Sequence, residues 1–165
     1  MLYNRRRSQR LKGYDYSQPG AYFVTICTHN QQCIFGEITD GNVQLNEIGK
    51  TVRDQWLESS EAYAKIILDE FIVMPNHIHG VVILKKSSNF VSRIPRKKIT
   101  LSKFIGRFKM QSSKKVNQIC KSPGTSIWQR NYYEHIIRNE DDLTRTREYI
   151  INNPLKWELD KYNPS

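Results

Sequence analysis

Short runs of hydrophobic side chains predict four β-strands along the chain. A β-branched and aromatic run, AYFVTICT, covers residues 21–28, and another surrounds Tyr133–Ile137. Two further runs, Ile66–Met74 and His77–Leu84, are separated only by a Pro-Asn dipeptide. Because proline cannot continue a ladder of backbone hydrogen bonds, these two runs predict a hairpin.

Three segments have apolar side chains at the three- and four-residue spacing that indicates an amphipathic helix. The first is predicted over Leu45–Ser59. The second begins at Leu101 and runs towards Val116 or Ile119. The last follows Asn139, a residue suited to capping a helix, and ends before the proline of the sequence NNP, since proline disfavours helical backbone in the residue before it.

The order strand, helix, strand, strand, helix, strand, helix predicts an α+β fold. It corresponds to a ferredoxin-like (RRM-like) split β-α-β sandwich with an antiparallel sheet and an extra C-terminal helix. Helices are expected to cover one face of the sheet and to leave the other face available. The length is that of about one domain, so we expect residues 1–165 to form a single domain in which residues 1–15 are a basic N-terminal arm.

Positive charge is concentrated in the middle of the chain. The whole sequence has 26 Lys and Arg against 16 Asp and Glu, a formal net charge of +10. The window from Phe71 to Tyr133 contains 13 Lys and Arg and no Asp or Glu, so it carries +13. Solubilising surfaces mix both signs of charge. The pattern therefore indicates a polyanionic partner, with nucleic acid as the first hypothesis.

An HIH triplet opens the strand predicted at His77–Leu84. Side chains alternate along a strand, so His77 and His79 point from the same face about 7 Å apart, close enough for both imidazoles to bind one ion. Two histidines in an otherwise apolar strand are costly to bury unless another group satisfies them. A pair of solvent-facing histidines on an open sheet is the alternative, and the triplet alone favours neither interpretation.

The last predicted helix carries a second candidate in the sequence REYIINNP. Tyr149 and Asn153 are i and i+4 neighbours on one helix face. Leu143 and Ile150 define the core-facing stripe, roughly 100° away from Tyr149. Tyr149 is therefore not placed as a simple core residue, although a partly buried packing tyrosine remains the alternative.

The segment WQRNYYEHIIR is a third candidate, because it interleaves aromatic residues with Arg130 and Arg138. Such a pattern is typical of side chains that stack on bases, and equally of the core face of a strand. Alternation predicts that Tyr132 and Tyr133 lie on opposite sides of the sheet.

Taken in this order, the three segments resemble the single-tyrosine HUH transposases of the IS200-like family and, within it, the REP-associated tyrosine transposases. The resemblance extends from GAYFVTICT through VMPNHIHGVVIL and WQRNYYEHIIRNEDDL to REYIINNPLKWEL. It implies that His77, His79 and Asn153 hold a divalent metal ion, Mg²⁺ or Mn²⁺, and that Tyr149 is the catalytic nucleophile. The implied reaction is cleavage and strand transfer of single-stranded DNA through a 5′-phosphotyrosine intermediate, at hairpin-forming repeated palindromic elements.

The same resemblance implies that the partner is single-stranded or hairpin DNA, bound by a monomer or a homodimer. Basic side chains are expected to hold its phosphates. The candidates are Arg5, Arg6, Arg7, Arg10, Arg96, Lys97, Lys98, Lys103, Arg107, Lys114 and Arg130. The sequence has no run of 18 or more apolar residues and no apolar signal segment near its N-terminus. We therefore expect a cytoplasmic, nucleoid-associated protein that does not bind membranes.

Two other functions share part of this pattern. A non-catalytic single-stranded nucleic-acid-binding module of RRM type has the same core fold and charge, but HIHGVVIL lacks the stacking aromatics that such modules place on this strand. A metal-dependent nuclease without a covalent intermediate would keep the histidines, yet it usually uses carboxylates, which are missing from Phe71 to Tyr133. Both alternatives leave Tyr149 and Asn153 unexplained.

Overall fold

The computed structural model describes residues 13–86 and 99–164 of the chain. In chain order, the elements of these residues are β1 (Gly20–Cys27), a short 3₁₀ helix (His29–Gln31), β2 (Gly36–Thr39), β3 (Asn42–Leu45), α1 (Glu47–Glu61), β4 (Ile66–Met74), β5 (His77–Leu84), α2 (Leu101–Ile119), β6 (Tyr133–Ile137), α3 (Glu140–Asn152) and a second 3₁₀ helix (Pro154–Leu159). Among the helices of these residues, none combines the length and hydrophobicity needed to cross a membrane.

Four of the strands form one antiparallel sheet in the order β4-β5-β1-β6. The first and third strands of the β-α-β-β-α-β unit therefore lie in the centre of the sheet, and its second and fourth strands lie at the edges. This arrangement confirms the predicted ferredoxin-like α+β fold. The strands β4, β5 and β6 have the predicted bounds, and α2 begins at the predicted Leu101.

The main hydrophobic core lies between the sheet and the pair α1 and α2. Trp56 of α1 is fully buried there, and its ring centroid is 5.0 Å from that of Phe108 in α2. Gly80 of β5 leaves room for the indole, since a Cβ at that position would lie 2.9 Å from Trp56 Cζ2. The strand side chains of this core include Tyr22, Val24, Ile26, Ile78 and Val82.

The opposite face of the sheet is covered by α3. Phe23 of β1 and Val81 of β5 form a second apolar cluster with Leu143 and Ile150 of this helix. The expectation that this face would be left available was therefore wrong. Its apolar strand residues need cover, and the stripe formed by Leu143 and Ile150 supplies it.

Polar contacts fix where α3 begins and how it lies on the sheet. Asn139 caps its first turn, because its Oδ1 accepts the backbone N–H of Asp142 at 2.9 Å. Further along, Arg147 donates from Nε and Nη2 to the two carboxylate oxygens of Asp69 in β4, both at 2.7 Å. This two-pronged contact ties the middle of the helix to the edge strand.

A two-stranded hairpin, β2 and β3, lies between β1 and α1 and was not predicted. Asp40 and Gly41 form its turn, with φ values of 49° and 71°, as a two-residue type I′ turn requires. Leu45 ends β3, so the helix predicted from this residue begins instead at Glu47, with the side chain of Asn46 as its cap. The predicted start was wrong because Leu45 packs against the core from a strand.

Candidate active site

The two histidines of β5 lie side by side on the face of the sheet that α3 covers. His77 is fully buried and His79 is 1% exposed. Their Nε2 atoms are 3.0 Å apart, and the ring of His79 stacks on Phe23 at a centroid distance of 5.4 Å. The alternative of a solvent-facing pair is therefore excluded.

Hydrogen bonds at the Nδ1 atoms orient both rings. Asn76 donates from Nδ2 to two backbone carbonyl oxygens, at 3.0 and 2.7 Å, which leaves its Oδ1 to accept from Nδ1 of His77 at 2.8 Å. In the neutral ring, Nε2 of His77 is then an unprotonated nitrogen with its lone pair available. Thr25 Oγ1 lies 2.8 Å from Nδ1 of His79, so this ring also turns its Nε2 towards the shared point.

The helix α3 brings the predicted tyrosine and asparagine to the histidines. The hydroxyl oxygen of Tyr149 lies 3.5 Å from Nε2 of His79, while the tyrosine as a whole is 42% exposed. Asn153, directly after the helix, is 3% exposed, and its side chain is close enough to influence the pKa of both His77 and Tyr149. Its Oδ1 nevertheless makes no hydrogen bond of good geometry among the described residues. A buried oxygen without a partner is unfavourable unless a donor or an ion satisfies it.

The electrostatic surroundings keep these groups uncharged. Burial lowers the pKa of both His77 and His79; Asp160 partly opposes this shift at His77, whereas Lys161 adds to it at both rings. Burial raises the pKa of Tyr149, and the carboxylate of Asp160 raises it further. The protein therefore holds two neutral imidazoles and a protonated phenol next to one another at pH 7.

The residues that follow α3 fold back over the histidines. The ring of Tyr162 lies 4.7 Å from that of His77, and the ring of Trp157 lies 6.1 Å from it, both measured between centroids. The same segment brings in Asp160, whose carboxylate joins a cluster in which the ligand atoms of His77, His79 and Asp160 lie within 4.8 Å of one another. Sequence reasoning missed this aspartate, because no local spacing connects it with the HIH triplet.

The donor atoms of this cluster fit a divalent ion. Two ligands about 2.1 Å from an ion and at right angles to each other are roughly 3.0 Å apart, which matches the distance between the two histidine Nε2 atoms. The unpartnered Oδ1 of Asn153 and the carboxylate of Asp160 add oxygen donors. A mixed set of nitrogen and oxygen donors suits Mn²⁺ and also accepts Mg²⁺.

Tyr132 and Tyr133 lie on opposite faces of the sheet, as alternation predicts. Tyr132 packs against the main core, and its hydroxyl lies 3.3 Å from Oγ of Ser102. Tyr133 lies on the α3 face, where its ring is 6.2 Å from that of Phe23. Only Tyr133 of this pair therefore shares a face with the histidines.

Four of the basic residues predicted to bind DNA belong to the described part of the chain, and three of these lie away from the histidines. Lys103, Arg107 and Lys114 lie on α2, across the sheet from them, and the Arg107 guanidinium lies 5.8 Å from the ring centroid of Tyr63. Arg130 is exposed just before β6, at the end of the sheet that contains His77. The other candidates lie outside the described residues: Arg5, Arg6, Arg7, Arg10, Arg96, Lys97 and Lys98.

Comparison with known proteins places this site in a family. A family model described as "Transposase IS200 like" matches residues 22–153, which include the HIH triplet, Tyr149 and Asn153. An uncharacterized protein of Haemophilus influenzae is 38% identical over 167 residues, covering 94% of this chain and 92% of that protein. A second protein of that organism, named "Putative REP-associated tyrosine transposase", is 28% identical over 143 residues, covering 86% and 74%.

A solved structure of a REP-associated tyrosine transposase bound to a REP hairpin has the same fold. It superposes with a TM-score of 0.58 at 18% identity, over 89% of this chain and 73% of that one. The resemblance inferred from the sequence motifs is thus confirmed: the chain belongs to the IS200-like transposase family.

Proposed function

We propose that this protein is a metal-dependent, single-tyrosine DNA transposase that cleaves and rejoins single-stranded DNA at hairpin-forming repeated palindromic elements. One observation carries the proposal: the hydroxyl of Tyr149 lies 3.5 Å from Nε2 of His79, which itself lies 3.0 Å from Nε2 of His77. The family of the chain and the hairpin bound to a relative of the same fold support DNA hairpins as its substrate.

Tyr149 supplies the nucleophile in this proposal. Its phenol oxygen forms a bond to the phosphorus of the scissile phosphodiester, while the bond from phosphorus to the 3′-oxygen breaks. The phenol loses its proton and the 3′-oxygen gains one, so the products are a 5′-phosphotyrosine and a free 3′-hydroxyl. The phosphotyrosine keeps the energy of the original ester, so attack by a 3′-hydroxyl rejoins DNA strands without ATP.

Neighbouring residues prepare this attack. Nε2 of His77, Nε2 of His79 and Oδ1 of Asn153 would hold the divalent ion, which when bound polarises the scissile phosphate and favours loss of the phenol proton. Asn76 and Thr25 hold the two rings so that both Nε2 atoms face the same point.

The remaining basic residues divide into two groups in this proposal. Arg130, at the histidine end of the sheet, would contact phosphates close to the cleaved bond. Lys103, Arg107 and Lys114 lie across the sheet, so they would contact a more distant part of the hairpin. These three residues would increase the affinity for DNA and the dependence of that affinity on salt, and they would take no direct part in cleavage.

The proposal is tested by trapping the covalent intermediate. The full chain is incubated with Mn²⁺ and a 3′-labelled oligonucleotide that contains a hairpin-forming palindrome, and denaturing gels are used to detect labelled protein. Tyr149→Phe removes only the nucleophilic oxygen, so the labelled adduct should disappear while DNA binding stays within about twofold. Tyr133→Phe is the matched control on the same face of the sheet, and it should form the adduct as the wild type does.

The outcomes separate the proposal from its alternatives. Binding by the wild type without any cleavage would favour the RRM-type binding module. Cleavage that continues in Tyr149→Phe without an adduct would favour a nuclease that uses water. Persistence of the adduct in Tyr149→Phe would show that another residue is the nucleophile.

A further inference from the structure

We propose that Asp160 is an additional protein ligand of the ion held by His77 and His79. This inference rests on the proposed metal-dependent function and goes beyond the family pattern, because Asp160 lies outside the residues 22–153 that match the family. It makes the segment after α3 part of the active site.

The position of Asp160 relative to the histidines is the first argument. Its carboxylate oxygen and the ring nitrogens of His77 and His79 lie within 4.8 Å of one another, so one ion can contact all three side chains. One carboxylate oxygen, Oδ1, accepts the backbone N–H of Tyr162 at 2.8 Å. The other oxygen, Oδ2, is available to an ion without loss of that bond.

The charge of the ligand set is the second argument. Two imidazoles and the amide of Asn153 are all neutral donors, whereas Mn²⁺ and Mg²⁺ prefer oxygen ligands that include carboxylates. Asp160 supplies the carboxylate of this cluster. It also offsets the positive charge of its neighbour Lys161, which faces the same two rings.

The way in which the segment is anchored is the third argument. Asn76, the residue that orients His77 through its Oδ1, also donates from Nδ2 to the carbonyl oxygen of Tyr162 at 2.7 Å. The backbone N–H of Asp160 donates to the carbonyl oxygen of Trp157 at 3.0 Å. One buried amide thus fixes both a histidine and the turn that carries the carboxylate, so the position of Asp160 is tied to that of His77.

A calorimetric titration of the metal-free full chain with Mn²⁺, in the absence of DNA, tests this inference. Asp160→Asn is nearly isosteric and keeps an acceptor for the N–H of Tyr162, so the turn is expected to persist. We expect its dissociation constant for Mn²⁺ to rise roughly 10- to 100-fold, at least as much as loss of an outer-shell partner costs. Asp54→Asn, which removes an exposed carboxylate paired with Arg53 on α1, is the matched control and should bind as the wild type does.

A urea unfolding measurement and a second variant complete the test. The urea midpoint of metal-free Asp160→Asn should equal that of the wild type, which separates lost ligation from lost folding. Asp160→Glu retains the charge and should lose less affinity than Asp160→Asn, whereas equal losses in the two variants would contradict ligation by the carboxylate.

The inference and the proposed function fail in different ways. If Asp160→Asn binds Mn²⁺ like the wild type while the His77→Ala/His79→Ala double variant does not, Asp160 is not a ligand and the proposed site stands. If the wild-type chain itself binds no Mn²⁺, both the inference and the metal-dependent function are overturned.

Discussion

The two faces of the sheet are formed by the same strands, yet they bury different kinds of side chain. In β1, Tyr22 and Val24 point into the apolar core under α1 and α2, whereas Phe23 and Thr25 point towards α3. The α3 face combines a small apolar cluster with buried polar groups, among them the unpartnered Oδ1 of Asn153. The first face holds the large apolar core, although Trp56 Nε1 is also unpartnered there within the described part of the chain, whereas on the second face the buried polar groups converge on the two histidines.

The largest expected effect on stability comes from the core under α1 and α2. Trp56→Ala removes a fully buried indole that contacts Phe104 and Phe108, so it should lower the free energy of unfolding by about 3–5 kcal/mol. Trp157→Ala removes the same kind of side chain from the α3 face. It should lower the free energy of unfolding clearly less, because that indole is only partly buried. Urea unfolding in the presence of EDTA measures both, and equal losses would contradict the division between the faces.

A substitution on the α3 face is expected to increase stability, in contrast to the loss expected for Trp56→Ala. Asn153→Leu replaces a buried, unpartnered amide oxygen by an apolar group, so it should raise the free energy of unfolding of the metal-free protein by about 1 kcal/mol. The same change removes an oxygen donor, so the stabilisation that Mn²⁺ gives the wild type should shrink.

The neighbouring Asn152 provides the control for the gain in stability expected of Asn153→Leu. Asn152 donates from Nδ2 to the carbonyl oxygen of Glu148 at 2.9 Å, and Asn152→Leu should give no such gain. Urea midpoints with EDTA and with Mn²⁺ are compared for both variants. A loss of stability in metal-free Asn153→Leu would show that Asn153 serves packing rather than ligation.

The smallest effect is expected from the ion pair between Arg147 and Asp69, which holds α3 on the sheet. The hydrogen bond from Arg147 lowers the pKa of Asp69 in the folded protein. The contribution of the pair is therefore present above the ordinary carboxyl pKa of about 4 and is lost as the pH falls through the lower, folded-state value. Because both side chains are partly exposed, solvent screens the pair.

Unfolding as a function of pH checks this prediction. Asp69→Asn should be slightly less stable than the wild type at pH 7, and the difference should vanish as the wild-type carboxyl becomes protonated in acid. A difference that stays constant down to low pH would mean that the charge of Asp69 is not what fixes α3.

Much of this architecture follows from local patterns in the sequence. Two apolar runs separated by a Pro-Asn dipeptide predict β4 and β5 with their bounds, and alternation of side chains places His77 and His79 on one face. The i and i+4 relation predicts that Tyr149 and Asn153 approach the same point, and the structure places both beside the histidines. These inferences succeed because each depends on the period of one element.

The parts that were missed depend on contacts between distant segments or on turn chemistry. The Asp40-Gly41 turn is a recognisable hairpin signal, and it would have revealed β2 and β3. No comparable signal marks Asp160, which reaches the histidines only because the chain turns back after Pro154 and is anchored by Asn76. The cover of the second face by α3 likewise depends on packing between elements, which periodicity alone does not show.

The identity of the modified residue tests the central claim most directly. Trypsin separates the candidate tyrosines, because Tyr149 is the only tyrosine of the peptide EYIINNPLK, Tyr132 and Tyr133 share NYYEHIIR, and Tyr162 lies after Lys161. The wild-type chain is incubated with Mn²⁺ and hairpin DNA, digested with nuclease and trypsin, and analysed by mass spectrometry. The account predicts a nucleotide linked through phosphate to EYIINNPLK. The same mass increase on NYYEHIIR or on the peptide of Tyr162, with EYIINNPLK unmodified, would contradict it.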